Sequence, residues 1–97
     1  MALQYWAFFF TGAEGGPSVH TVITPAQRTD LVHVATPADA VAEAVRLVAE
    51  GVQLIELCGA FGPVWAGKII EATGGAVPVG AVAYGPEAVD QVHAIFS

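Results

Sequence analysis

Apolar positions along the chain follow two different spacings. Four short runs are rich in aromatic or β-branched residues and end near glycine or proline, which is typical of β-strands. They cover residues 4–10, 30–35, 52–57 and 77–83. The stretches that begin at residues 36, 63 and 85 instead show apolar residues at the 3.6-residue spacing of helices. From residue 30 onward the pattern therefore predicts alternating strands and helices.

Proline marks the start of each predicted helix. Pro37, Pro63 and Pro86 occupy first helical positions, where the missing N–H costs no hydrogen bond. Thr36 is the predicted N-cap of the first helix, and Gly51 is expected to end it near Glu50. The apolar face of this helix is predicted to comprise Val41, Ala44, Val45, Val48 and Ala49.

Alternating strands and helices require parallel strands joined by right-handed crossovers, because each helix must return the chain to the starting edge. We therefore predict one α/β domain over residues 1–97, with a small single-layer sheet of about four mainly parallel strands. An open sheet and a half-barrel both fit this pattern. Residues 18–28 are ambiguous, because VHTVI has strand character and Pro25 interrupts it.

The composition indicates more apolar surface than one small domain buries. Apolar residues make up 55% of the chain and charged residues only 12%. Monomeric proteins rarely expose large apolar patches, so we expect a homo-oligomer, a dimer or higher.

The charge and the cysteine content restrict the partners. A formal net charge of −6 argues against nucleic acids and anionic membrane surfaces, which both attract clustered Lys and Arg. The apolar start of the chain, residues 1–10, is too short for a membrane span. Cys58 is the single cysteine, so an internal disulfide is excluded and a cytoplasmic location is expected.

Glu56 is the least expected residue of its apolar run. Alternation places Leu54, Glu56 and Cys58 on one face of the strand and Ile55 and Leu57 on the other. Burial of a carboxylate favours its protonated form, which would make Glu56 a candidate general acid or base. The alternative is a structural role, in an ion pair with Lys68 or Arg46 or in a hydrogen bond from backbone N–H groups.

Ligands of parallel α/β sheets gather beyond the carboxyl ends of the strands. Three places qualify here: Thr11-Gly12, the loop CGAFG, and Tyr84-Gly85. In the loop, a backbone N–H could bind an anionic oxygen, although glycines also suit a tight turn. The predicted binding residues at these places are Thr11, Cys58, Gly59, Phe61 and Gly62.

The histidines are too scattered to form a metal motif, so no metal is expected. His33 lies in the middle of a strand and is either a core or interface residue or a catalytic assistant. His20 and Arg28 could bind an anionic substrate if residues 18–28 fold over the strand ends as a lid. His93 is expected at the surface or in an interface.

The segments AFFFTG, EGVQLIELCGAFGP and VPVGAVAYG together resemble a family of small bacterial and fungal proteins classed as a domain of unknown function. This resemblance implies no activity. A weaker similarity links residues 51–56 to a strand of aldolase-type barrels that presents a carboxylate to the substrate. No lysine follows at a strand end here, so Schiff-base chemistry is not expected.

The leading hypothesis from the residues is a cofactor-free small enzyme, an isomerase, lyase or cyclase, acting on a small oxygenated metabolite. Glu56 would transfer a proton, the 59–62 loop would stabilise an oxyanion, and Tyr84, His33 or His20 would assist. The alternative is a non-catalytic module that binds a small molecule or assembles into oligomers.

Overall fold

The fold is a single open sheet with helices packed on it. The structure, a computed structural model, describes residues 2–12 and 14–97. Within these residues five strands form one sheet in the order β2-β3-β1-β4-β5. The strands are β1 (Tyr5–Thr11), β2 (Ser18–Ile23), β3 (Arg28–Val34), β4 (Ile55–Leu57) and β5 (Val79–Ala81). β2 pairs with β3 antiparallel, and the other pairings are parallel.

Two helices cover one face of this sheet. They are α1 (Ala40–Ala49) and α2 (Gly62–Ala72), which connect β3 to β4 and β4 to β5. Both crossovers move the chain in the same direction across the sheet, so right-handed connections place both helices on the same side. The third helix, α3 (Val89–Phe96), follows β5 and has no buried residue.

The core lies between the sheet and the first two helices. Fully buried side chains include Phe9, Val32 and Ile55 from the strands, which meet Leu47 of α1 and Ile69 of α2. Alternation along the strands produces this arrangement, because every second side chain points to the helices. The core therefore uses only one of the two faces of the sheet.

The predicted α/β class and the mainly parallel sheet are confirmed, and the sheet is open. The predicted strand number was one too low. The ambiguous segment 18–28 contributes β2, an exposed antiparallel edge strand, because it can pair with β3 before Pro25 interrupts it.

The predicted start of the first helix, with Thr36 as N-cap and Pro37 after it, agrees with the structure. Pro37–Asp39 form a 3-10 turn before the helix, and the Thr36 backbone N–H and hydroxyl both donate to the Asp39 carboxylate, at 3.1 and 2.9 Å. Gly51 follows the helix with a φ of +100°, a conformation that glycine adopts without strain. The predicted apolar face was partly wrong: Ala40, Ala44 and Leu47 are buried, whereas Val45 is exposed.

The second face of the sheet carries a different set of residues. We call it the open face, and it comprises Trp6, Phe8, Phe10, Ser18, His20, Val22, Thr29, Leu31, His33, Glu56 and Gly80. Register links His20, Leu31, Phe8, Glu56 and Gly80 as one row across the five strands. Among the described residues, no member of this face belongs to the core cluster or packs against it.

Candidate functional site

A cavity of about 530 Å³ lies at the carboxyl edge of the sheet, beyond the ends of β1 and β4. This is the position that parallel strand topology predicts for a ligand. Its lining combines strand ends, the loop after β4, and α3. The lining residues are Thr11, Gly12, Cys58, Gly59, Ala60, Tyr84, Val92 and Phe96.

Strand pairing brings the first lining residues together. Phe9 of β1 pairs with Leu57 of β4, and the Cys58 backbone N–H donates to the Phe9 carbonyl at 2.9 Å. The residues that follow, Thr11 on one strand and Gly59 on the other, therefore leave the sheet side by side. Tyr84, which follows β5, also reaches this edge, because a Cβ built on Gly59 would lie 3.7 Å from its ring.

The cavity is uncharged and mostly apolar. None of its lining side chains carries a formal charge at neutral pH; the polar groups are the hydroxyls of Thr11 and Tyr84 and the thiol of Cys58. Within the part of the chain that the structure describes, the backbone N–H groups of Gly59 and Ala60 have no hydrogen-bond acceptor. These amides are the donors that the loop can offer to a ligand.

The helix α3 supplies the side of the cavity that sequence analysis missed. Val92 and Phe96 lie one turn apart on α3 and both line the cavity. Phe96 is 82% exposed, and Tyr84 is 66% exposed. Their apolar spacing predicted a helix, but no sequence signal indicated that this helix reaches the end of β1.

Glu56 does not lie in this cavity. Its side chain is exposed, which contradicts the predicted burial, although the predicted alternation of faces holds for β4. It borders a separate hollow of about 220 Å³ with Gly80, Ala81 and Val82. Alternation is a property of the strand alone, whereas burial depends on whether another element covers that face.

The predicted structural ion pair of Glu56 is also wrong. Arg46 instead binds Glu43 and Glu50 of its own helix, at 2.9 and 3.0 Å. Lys68 lies within α2 with its Nζ 4.1 Å from the centre of the Trp65 ring. Both cations therefore have partners on the helices, and the Glu56 carboxylate forms no ion pair within the described residues.

None of the three histidines lines the cavity. His33 packs beside Phe10, with ring centres 5.3 Å apart. Because β1 separates β3 from β4, and the register offsets the two residues, His33 and Glu56 lie about 12 Å apart. His93 is exposed on α3, as expected. The structure does not bring Glu56 and His33 to one reacting atom.

The lid hypothesis for residues 18–28 is wrong. His20 is exposed on β2, and Arg28 begins β3 opposite Tyr5, the first residue of β1. The cavity begins at Thr11, the last residue of β1, so Arg28 lies about 20 Å away along the strand. Backbone pairing with β3 fixes this segment as an edge strand.

Arg28 instead belongs to a polar cluster around the buried Asp30 that was not predicted from the sequence; its other members are Tyr5 and Thr21. Asp30 is fully buried. It accepts hydrogen bonds from Tyr5 at 2.6 Å, from Thr21 at 2.7 Å, and from the Arg28 guanidinium at 3.1 and 3.2 Å. The spacing of Arg28 and Asp30, two residues apart on one strand face, was the available signal.

Hydrogen bonding determines the protonation states in this cluster. Burial by itself would raise the pKa of Asp30, but the hydrogen bonds from Tyr5, Thr21 and Arg28 outweigh it and lower that pKa. Burial, together with the hydrogen bond to Asp30, raises the pKa of Tyr5. Asp30 is therefore ionised and Tyr5 neutral at ordinary pH, as a structural cluster requires.

Two of the predicted loop residues have structural roles and do not contribute to the cavity. Phe61 is buried in the core at 3% exposure, and Gly62 begins α2 with a φ of +67°. Neither lines the cavity. Of the predicted site residues, the structure brings together Thr11, Cys58, Gly59 and Tyr84, because these four lie at or within three residues of the carboxyl ends of neighbouring parallel strands.

The fold and the cavity define a two-layer α/β protein with a hollow at the carboxyl edge of a mainly parallel sheet. Among the described residues, no helix is long and apolar enough to cross a bilayer. The chain belongs to DUF6506, a family of unknown function, which it matches over residues 4–97. Neither the curated proteins nor the solved structures include a significant match.

Proposed function

We propose that this protein binds a small, uncharged, largely apolar molecule with one or two oxygen atoms, in the cavity at the carboxyl edge. The observation that carries the proposal is the lining of that cavity, which is apolar except for two hydroxyls, one thiol and two free backbone amides. Its volume of about 530 Å³ falls within the range of small-molecule sites.

The charge distribution supports an uncharged ligand. A charged group in an apolar cavity needs an opposite charge, because desolvation of an unpaired ion is costly. The lining offers none, and the cations Arg28, Arg46 and Lys68 have partners elsewhere. A carbonyl or hydroxyl oxygen, in contrast, fits the N–H groups of Gly59 and Ala60 and the hydroxyl of Thr11.

The geometry favours binding over acid–base catalysis. The catalytic hypothesis needs Glu56 held out of water near the loop, but this side chain is exposed and borders another hollow. His33 is too far from it to assist, and Tyr84 lies at the cavity, away from that hollow. The catalytic role of Glu56 therefore stays a prediction without geometric support.

A fragment experiment tests the binding proposal. We expect uncharged probes such as cyclohexanone, phenol and a γ-lactone to shift the backbone amide resonances of Gly12, Gly59 and Ala60 in ¹H–¹⁵N spectra. The same probes should slow alkylation of Cys58, the only thiol. Charged probes of similar size, benzoate and benzylammonium, should do neither.

A matched pair of variants locates the site. Thr11→Val should weaken binding of the best probe about 5-fold, since it removes one hydrogen bond. Thr73→Val is the control, because the Thr73 hydroxyl donates to the Ile69 carbonyl at the end of α2. Binding that is equal in both variants, or tighter binding of the charged probes, would contradict the proposal.

A further inference from the structure

We propose that two copies of this chain pack open face to open face, with β1 of each copy at the centre of the interface. This inference is independent of the ligand cavity. The open face presents Trp6, Phe8, Phe10 and Leu31, four large apolar side chains that are half-buried in the single chain and do not pack against the core cluster. They occupy the central strand β1 and its neighbour β3, where a partner would complete their burial.

The composition of the open face fits a second copy as the partner. Glu56 is the only charged residue of the open face, so its composition matches the interior of a protein interface, which is rich in aromatic and poor in charged residues. The face has no Lys or Arg, and the chain carries a net charge of −6. An anionic lipid surface or a nucleic acid would therefore be repelled.

The area of the face is sufficient for a dimer. Strands of 7 residues, as in β1 and β3, are about 23 Å long, and five strands side by side are roughly 24 Å wide. With β4 and β5 only 3 residues long, two such faces have a flat area of roughly 800 Å² and, with side-chain relief, bury on the order of 1,000 Å², which is the low end for a specific interface.

Symmetry gives Glu56 a partner. β1 is the central strand, so a two-fold axis along it places β4 of one copy over β3 of the other. Glu56 then faces Leu31 and His33 of the second copy, and the same contact occurs twice. The imidazole can donate a hydrogen bond to this carboxylate, which forms no ion pair with any described residue of its own chain. In this arrangement the two cavities open at the same end of the dimer.

The first test is the mass in solution, by light scattering and sedimentation velocity between about 1 and 200 µM. We expect the wild-type chain to be a dimer. Phe8→Glu should raise the dissociation constant at least about 100-fold, because it places a charge at the centre of the interface, next to Glu56. Val64→Glu is the matched control: Val64 is apolar and 67% exposed on α2, outside the open face, and its substitution should leave the dimer intact.

The second test needs no disruptive substitution. Trp6 lies on the open face and Trp65 on α2, so Trp65→Phe leaves one fluorophore that reports on the face. We expect Trp6 to be shielded from acrylamide at high concentration and exposed on dilution. A wild-type monomer at 200 µM, or a dimer in which Trp6 stays accessible, would overturn the proposal. Binding of the monomer to phosphatidylcholine vesicles with shielding of Trp6 would overturn it in favour of a lipid surface.

The third test concerns the position of the two-fold axis of the dimer. Glu56→Gln should weaken the dimer about 3-fold, because it loses the charged member of the contact with His33. Tightening of the dimer would instead mean that the two Glu56 carboxylates face each other, and it would exclude a two-fold axis along β1.

Discussion

The two edges of the sheet use similar residues in opposite ways. Toward the amino edge, Tyr5 and Thr21 donate hydrogen bonds of 2.6 and 2.7 Å to the buried Asp30. A carboxylate, a tyrosine and a threonine recur as Glu56 on the open face and as Tyr84 and Thr11 at the carboxyl edge. Within the described residues, none of these three side chains forms a hydrogen bond to the protein.

This difference separates groups that hold the fold from groups that remain available to a partner. A polar side chain whose hydrogen bonds are made inside the protein contributes to stability, and its loss leaves buried partners unsatisfied. A polar side chain with no internal partner can be changed at little cost to the fold. The same substitution should therefore have unequal effects at the two edges.

The largest difference in the free energy of unfolding is expected between the substitutions of the two carboxylates, Asp30 and Glu56. Asp30→Asn should lower the free energy of unfolding by roughly 3 kcal/mol, because an amide replaces a buried ion that accepts hydrogen bonds from three side chains. Glu56→Gln should change it by no more than about 0.5 kcal/mol at sub-micromolar concentration. Urea denaturation followed by far-UV circular dichroism measures both.

The dependence of stability on acid provides a control for Asp30. Its pKa is lowered in the folded state, so its contribution is present above the unfolded pKa, about 4, and is lost as the pH falls through the lower folded pKa. In Asp30→Asn the free energy of unfolding should fall less as the pH is lowered than it does in the wild type. An equal fall in the variant would show that the charge of Asp30 does not stabilise the fold.

The two tyrosine substitutions should differ less in the free energy of unfolding that they cost. Tyr5→Phe should cost about 2 kcal/mol, because it removes a hydrogen bond to an ion, whereas Tyr84→Phe should cost no more than about 0.5 kcal/mol. Burial raises the pKa of Tyr5. Its contribution is therefore complete below the unfolded pKa, about 10, and declines as the pH rises above it.

Urea denaturation at pH 9 and pH 11 measures the loss in the free energy of unfolding that follows from the deprotonation of Tyr5. It should be smaller in Tyr5→Phe than in the wild type and unchanged in Tyr84→Phe. Equal losses in the two variants would remove the distinction between the edges for this pair.

The smallest effect is expected for the threonines. Thr21→Val should cost about 1 kcal/mol, since the hydroxyl donates to Asp30 from an exposed edge strand. Thr11→Val should be neutral for stability, because valine suits a strand and no hydrogen bond within the protein is lost. Thermal unfolding of the two variants in parallel makes the comparison, and a larger loss in Thr11→Val would reverse the assignment of the edges.

Local rules explain which parts of the fold were predictable. Proline at the first helical position, glycine at a helix end and alternation along strands depend on a few neighbouring residues. These rules located the elements from residue 30 onward and placed Thr11, Cys58 and Gly59 at one edge. They also assigned Glu56 to the correct side of β4.

Burial and partners depended on tertiary packing. Glu56 was expected to be buried, but both crossovers place their helices on the other face of the sheet, so its side chain is exposed. The burial of Asp30 was not predicted, because its partners Tyr5 and Thr21 come from two other strands. The sequence by itself determined the elements, their order and their faces, since these follow from local sterics and periodicity. Only the tertiary structure decided which carboxylate is buried and which helix reaches the cavity, because those contacts join residues distant in the chain.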